Sequence, residues 1–317
     1  MMNRRDVVAG LAAAGALSST SLLAASKTSN ALPTGTCDCH VHVLDPDRFP
    51  YETNRKYTPG SATVERLLAM HNQLGVQHVV LVQNSVYGGN HDCLRDGLKQ
   101  LGSERARGVM TIGPKTSDAE IAELDAAGVR GTRLNLEVGK DRDASKAVAA
   151  VNEAAHRIPE TWNVDINAAL LVIVAMKDTL LELPRPIVLD HFGHANAAAG
   201  TSHQGFSDLV DLLRSGLVFV KLSGPYQISK EADYSDIAPI AKALIAAAPA
   251  QIVWGSDWPH TGGSNRPADQ PKEFIEPFRP EDDERNVKLL TTWVSDPALL
   301  RRILVETPAR LYGFKSV

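Results

Sequence analysis

Cysteine is scarce. The 317 residues contain three, Cys37, Cys39 and Cys93, and an odd number argues against a disulfide framework. Cys37 and Cys39 are two apart in a stretch that reads as a strand, a poor geometry for a bridge. They are expected as packed thiols on the helix-facing side of a sheet. Positive charge is not in excess. Lys and Arg number 33 against 37 Asp and Glu, a formal net charge of -4. No run of Lys and Arg interleaves with aromatics, so no nucleic-acid partner is expected. There is no repeat of fixed period and no low-complexity linker, which leaves one folded domain as the expectation. At 44% apolar and 22% charged, the composition is that of a globular chain with ample length for a large core.

What is present begins with a targeting pattern. Arg4 and Arg5 precede an apolar stretch from Ala9 to Ala25, and Ser29-Asn30-Ala31 offers a small-residue exit. Ser18, Ser19, Thr20 and Ser21 interrupt the stretch, which argues against a permanent membrane helix. Residues 1–31 are therefore expected to be a twin-arginine-type export signal. Residues 32–317 would form the mature domain, periplasmic and without stable membrane association.

Along that domain, short β-rich runs alternate with helical patterns. The runs are Cys37–Leu44, His78–Asn84, Gly108–Gly113, Val129–Leu136, Asn163–Asn167, Ile187–His191, Leu217–Ser223 and Ile252–Asp257. Helical patterns cover Ala62–Leu74, Asp92–Leu101, Asp118–Ala127, Ala144–Arg157, Leu170–Leu183, Gly205–Ser215, Ile237–Ala248 and Pro297–Leu311. Strands alternating with helices imply a parallel sheet. Eight such units imply a single (β/α)8 barrel of α/β class, with long loops after strands one and eight. Within the second loop, the acidic run Glu281-Asp282-Asp283-Glu284 reads as solvated surface.

The first strand, Cys37-Asp38-Cys39-His40-Val41-His42, carries two imidazoles two residues apart. Period-two alternation places Asp38, His40 and His42 on one face and Cys37, Cys39 and Val41 on the other. Polar groups then recur at strand C-terminal ends, where barrel enzymes keep their active sites. These are Gln83-Asn84-Ser85, Arg133 with Asn135, Asn167, Asp190-His191, Lys221 with Ser223, and Asp257 in Trp254-Gly255-Ser256-Asp257-Trp258-Pro259-His260. Such convergence at seven of eight strand ends points to a binding or catalytic site.

The His-x-His pair, the Asp190-His191-Phe192-Gly193 element and the Trp-Gly-Ser-Asp-Trp-Pro-His motif resemble the amidohydrolase superfamily. Within it, the chain is most similar to the 2-pyrone-4,6-dicarboxylate hydrolase and lactonase group. Phe49-Pro50-Tyr51, Arg55-Lys56-Tyr57-Thr58-Pro59, Ala127-Gly128-Val129-Arg130-Gly131 with Arg133, and Glu306-Thr307-Pro308-Ala309-Arg310-Leu311-Tyr312 extend the likeness over about residues 35–314. The resemblance implies a hydrolase that opens a lactone or related cyclic ester by attack of water. Asp257 would be the general base, and His40, His42 and His191 would polarise the carbonyl. Tyr57, Ser85, Arg133, Asn167, Tyr226 and His260 would hold or orient the substrate, a small-molecule lactone or carboxylate.

The chain departs from the pyrone hydrolases in four places. Asn167 stands where they have tyrosine, Gly139 and Gln227 where they have arginine, and Gly262 where they have asparagine. Those losses favour a neutral or singly charged lactone. The group works without a metal, so no cofactor is expected; a bound zinc or manganese would take His40, His42 and Asp257, with His191. The alternatives are a sugar-acid lactone isomerase using the same residues, which Gly224-Pro225-Tyr226 resembles, and an inactive periplasmic binder.

Overall fold

The structure is a computed structural model that describes residues 32–138, 142–261, 267 and 269–315. The signal pattern, Gly139 and Gly262 lie outside the described residues. Eight parallel strands form one sheet in chain order: β1 (Cys37–Val41), β2 (His78–Val82), β3 (Ala106–Met110), β4 (Val129–Asn135), β5 (Asn163–Asn167), β6 (Ile187–Leu189), β7 (Val218–Ser223) and β8 (Ile252–Gly255). Helices α1 (Val64–Leu74), α2 (Asp92–Leu101), α3 (Asp118–Ala126), α4 (Ala144–Arg157), α5 (Leu170–Ala175), α6 (Lys177–Glu182), α7 (Phe206–Arg214) and α8 (Ala238–Ala247) follow β1 to β7. The expected (β/α)8 barrel is therefore present. The expected helix over 170–183 is two short helices, and the C-terminal one is α10 (Pro297–Arg301), a π-helical turn (Arg302–Glu306) and α11 (Thr307–Tyr312). Among the described residues, no helix is long and apolar enough to cross a membrane.

The core divides by strand parity. Val79 and Leu81 of β2, Ile187 and Leu189 of β6, and Ile252 and Trp254 of β8 pack outward with helix residues such as Leu67 and Leu244. Each such side chain, buried fully, contributes ~1.5–3 kcal/mol. Val80, Val82, Val109, Val188, Phe219 and Val253 form the opposite set, packed inward with Leu311, Tyr312 and Phe314 from the C-terminus.

Cys37 and Cys39 belong to that inner set, so the expected helix-facing placement is wrong. Asp38 points the other way, with Oδ2 at 3.3 Å from His71 Nε2 of α1. The reason is a register shift between Asp38 and Val41 against β2. A bulge adds one residue to a strand and re-aims the side chains beyond it. Cys39 and His40 are both buried, yet Val41 packs with the outer core. Strict alternation could not give this arrangement.

The same bulge shapes the seam between β1 and β8, the two strands that carry the histidine pair and Asp257. Backbone bonds run from Asp257 N to His40 O at 2.9 Å and from His42 N to Trp258 O at 2.8 Å. One step earlier along both strands the Asp38 carboxylate substitutes for a ladder carbonyl. Its Oδ1 accepts from Ser256 N at 2.9 Å and from His40 N at 3.2 Å. Satisfying two buried N–H groups from one side chain keeps the seam closed where regular pairing stops.

Above the barrel mouth, the loops after β1 and β8 touch. Thr58–Pro59 pairs with Ile275–Glu276 in a short parallel ribbon, and Lys272 Nζ donates to Thr53 O at 2.7 Å. The acidic run is not simply solvated. Asp282 caps a further helix, α9 (Asp283–Trp293), accepting from Arg285 N at 3.0 Å. The Glu281 side chain is buried and accepts from Tyr234 OH at 2.8 Å.

Candidate active site

A cavity of about 510 Å³ opens at the C-terminal ends of the strands. His42, Tyr57, Ser85, Arg133, Asn167, His191 and Asp257 all line it, as do Lys56, Asn84, Asn135, Glu137, Gln227, Thr261 and Glu276. His40 lies fully buried beneath the floor.

Asp257 is at the centre. Its Oδ1 is 3.6 Å from both His40 Nε2 and His42 Nε2, and its Oδ2 is 3.9 Å from His191 Nδ1. Tyr226 OH donates to Oδ2 at 2.7 Å. Asp257 has φ 66, as does His260, and His191 has φ 48. Such left-handed backbone at non-glycine residues costs ~1–3 kcal/mol each and gathers at functional sites. Space for the carboxylate comes from Gly224, at φ +54, where a Cβ would meet Asp257 Oδ2 at 2.6 Å. Gly255 plays the same part under His40, whose Cβ a side chain would meet at 2.7 Å.

Burial pushes Asp257 up to about 6, against the opposing Tyr226 hydrogen bond. Burial also drives His42 and His191 down to about 3 and His40 well below its ordinary value. All three imidazoles are thus neutral near pH 7, and each has one N–H and one lone pair. Their partners assign which is which. His42 Nδ1 is 2.7 Å from Val82 O, so it carries the proton and leaves the Nε2 lone pair facing Asp257.

Below lies a network of charges. Lys221 donates to Asp165 and stands 3.2 Å from Asp190 Oδ1, all three fully buried. Arg133 gives Nε and one terminal nitrogen to Asp190 Oδ2, at 3.2 and 2.9 Å. Burial opposes ionisation of Asp190, but Lys221, His40 and Arg133 hold its carboxyl well below the usual range. Asp165 is pushed up to about 7 by burial and by Asp190. Breaking any one of these buried pairs would leave an uncompensated charge.

The other expected residues are placed less directly. Two Arg133 nitrogens are committed to Asp190, so this guanidinium is less free to clamp a carboxylate than expected. Asn167 is held between Asn135 at 3.2 Å and His194 Nε2 at 2.6 Å. Tyr57 OH donates to Asn84 at 2.8 Å. Tyr226 and His260 sit behind Asp257: their rings meet edge to face at 6.0 Å, and His260 Nε2 is 3.2 Å from Asp283 Oδ1. His91 is tied to Glu120 and to Thr111 O. Asp165 was missed and Lys221 was noted only for its strand. Their signal was present: a charge in mid-strand between apolar neighbours, in Val164-Asp165-Ile166 and Val220-Lys221-Leu222.

His40, His42 and Asp257 could hold a divalent ion by type and spacing, and so could His40, Asp190 and His191. His42 Nε2 and Asp257 Oδ1 fit such a role. His40 fits it poorly if Lys221 Nζ, 3.1 Å from its Nδ1, donates there; Asp190 Oδ1 lies at the same distance from that nitrogen. A neutral imidazole that accepts at Nδ1 carries its proton on Nε2, where the ion would need a lone pair.

The amidohydrolase family model matches residues 37–314. A 4-sulfomuconolactone hydrolase of Rhizobium radiobacter is 32% identical over 292 residues, covering 89% of this chain and 91% of the relative. A 2-pyrone-4,6-dicarboxylate hydrolase of Comamonas testosteroni is 30% identical over 303 residues, covering 92% and 94%. Among solved structures, a probable 2-pyrone-4,6-dicarboxylic acid hydrolase of Acinetobacter baumannii with citric acid bound superposes with a TM-score of 0.69. It is 26% identical, and the match covers 88% of this chain and all of that one. The chain belongs to the amidohydrolase family and is an enzyme of that family.

Proposed function

We propose that the protein hydrolyses a lactone or related cyclic ester, with Asp257 as general base and without a metal. The observation that carries this reading is the Asp257 carboxylate, poised near pH 6 between two imidazole Nε2 atoms at 3.6 Å on the cavity floor. A base whose pKa lies just below the working pH is ionised yet still basic enough to accept a proton. A water seated against Asp257 Oδ1 would give one proton to it, with the His42 Nε2 lone pair orienting the other. The hydroxide oxygen bonds to the lactone carbonyl carbon, and the carbonyl oxygen takes up negative charge. N–H donors aimed at that oxygen stabilise it, a role assigned in this reading to His40 and His191. Collapse breaks the ring C–O bond, and the departing alkoxide recovers the proton from Asp257. The product is a hydroxy acid, which ionises and releases one proton to solvent.

The kinship with a sulfomuconolactone hydrolase and a pyrone dicarboxylate hydrolase supports the reaction class. The cavity supports a neutral or singly charged substrate. Seven of its fifteen lining residues carry amide or hydroxyl groups, the carboxylates Glu137 and Glu276 line it together with Lys56, and Arg133 spends two donors on Asp190. Tyr57, Ser85 and Asn167 line the cavity and would meet the polar groups of the ring.

The test is a panel of neutral, monocarboxylate and dicarboxylate lactones, with acid release followed at constant pH on metal-analysed protein before and after chelation. Acid release should be fastest from the neutral or monocarboxylate members, survive chelation, and fall about 10²- to 10⁴-fold in Asp257→Asn. Full activity in that variant, or ring rearrangement without acid release, would overturn the reading.

A further inference from the structure

The mechanism above uses the three histidines and Asp257 but leaves Lys221 unexplained. It is a cation with no exposed surface, set below His40 in the barrel interior. Lysine has three N–H donors and no lone pair when charged. Here three acceptors surround Nζ: Asp165, Asp190 Oδ1 at 3.2 Å and His40 Nδ1 at 3.1 Å. Asp165 and Asp190 raise the Lys221 pKa despite burial, so the ammonium stays charged.

An N–H on His40 Nδ1 would point one donor at another across that 3.1 Å contact. Asp190 Oδ1 is equally near the same nitrogen, at 3.1 Å, and competes with Lys221 for it, since a carboxylate there favours a proton on Nδ1. His40 Nε2, at the other end of the ring, has no hydrogen-bond partner among the described residues, although it is buried. A buried ring nitrogen without a partner, facing the cavity floor, is a group reserved for something that arrives.

We infer that Lys221 is a positioning residue that holds His40 in the Nε2–H tautomer, so that His40 meets the reacting carbonyl as an N–H donor. The first half of this inference is independent of substrate. The second half rests on the lactone reading given above. It also accounts for the poor fit of His40 to a metal. The nitrogen that would ligate is the one that keeps the proton, and the residue enforcing this is a lysine that no carboxylate exchange could turn into an acceptor.

The experiment is long-range proton–nitrogen correlation NMR on protein labelled with ¹⁵N-histidine. Near-neutral pH is used, and His40 is identified by the signal lost in His40→Gln. Wild-type protein should show the His40 pattern of a protonated Nε2 and a bare Nδ1. In Lys221→Met, Asp190 becomes the nearest partner of Nδ1, and the pattern should invert. In Lys221→Arg, which keeps a donor, it should not. Turnover should follow the tautomer: kcat falls about 10²-fold in Lys221→Met, as for loss of one oxyanion donor, with KM within about twofold. A wild-type spectrum with the proton on Nδ1 would overturn the inference even if Lys221→Met failed to fold. An inverted pattern with unchanged kcat would overturn the donor role. The expected tautomers in a protein inert to every lactone would instead count against the proposed function and leave the role of Lys221 standing.

Discussion

Removing one hydroxyl should move the pH dependence of the enzyme by a calculable amount. Tyr226 OH donates to Asp257 Oδ2 at 2.7 Å, with both residues buried. A hydrogen bond to a charged acceptor contributes ~1.5–3 kcal/mol, and ~1.36 kcal/mol corresponds to one pKa unit. That bond stabilises the ionised carboxylate and so lowers the Asp257 pKa, against the larger effect of burial. Tyr226→Phe deletes it with little change in shape. Asp257 should then rise from about 6 by about 1–2 units.

The assay is kcat/KM for lactone hydrolysis from about pH 5 to 9, since this ratio reports the free enzyme's base. Near pH 6 about half the wild-type carboxylates are ionised, against about a tenth to a hundredth in the variant, a loss of roughly 5- to 50-fold. Near pH 9 the deficit should nearly vanish. An acid limb that stays in place or moves to lower pH would refute the argument. A loss of equal size at every pH would show that Tyr226 acts on substrate rather than through Asp257.

Asp257→Asn should stabilise the fold while cutting turnover about 10²- to 10⁴-fold. The folded-state pKa of about 6, against an ordinary carboxyl value of 3.8, means that stability falls as pH rises between those values. The full cost of ~3 kcal/mol is present above about pH 6. Denaturant unfolding should find the variant more stable near pH 8 and no different near pH 4; equal stability at pH 8 would refute this. Gly224→Ala puts a methyl 2.6 Å from Asp257 Oδ2 at φ +54. It should cost at least about 10²-fold in kcat/KM by displacing the base, and an unchanged rate constant would show that the carboxylate has room to move. Asp38→Ala leaves two buried N–H groups without an acceptor, at ~1–3 kcal/mol each. It should therefore destabilise by ~2–5 kcal/mol in denaturant unfolding, whereas Asp38→Asn keeps Oδ1 and should recover most of the loss. Equal stability of Asp38→Ala and wild type would remove the seam role.

The barrel was legible because period and punctuation are local. Eight apolar runs separated by helical patterns, with glycines such as Gly75 at φ 79 closing helices, leave little choice of architecture. The residues lining the cavity were legible for a related reason. A polar side chain at a strand's C-terminal end has the mouth of a parallel barrel as its destination, so Ser85, Arg133, Asn167, His191 and Asp257 could be placed together, whereas Tyr57, in the loop after β1, came from the family resemblance alone. Whatever depended on register was not legible. A one-residue shift exchanges the two faces of a strand, and the bulge between Asp38 and Val41 did this at β1. It sent Asp38 out to His71 and the two cysteines inward. The helix starting at Asp283 was hidden by the acidic run in front of it, which is also its cap.

The chemistry of the histidine pair lay furthest from what sequence can state, because it depends on which nitrogen of His40 holds a proton. His-x-His is compatible both with an ion and with a pair of polar groups turned on a carbonyl, and the strand itself does not choose between them. The choice is made 181 residues away in the chain, by Lys221. A lysine in mid-strand would be intolerable in a barrel interior without partners. Asp165 and Asp190, from two neighbouring strands, make it tolerable, and the cation then fixes the imidazole above it. The charged layer under the floor therefore does more than satisfy itself. It converts a residue pair of ambiguous chemistry into one proton donor and one proton acceptor, His40 and His42, facing the same carboxylate from equal distance.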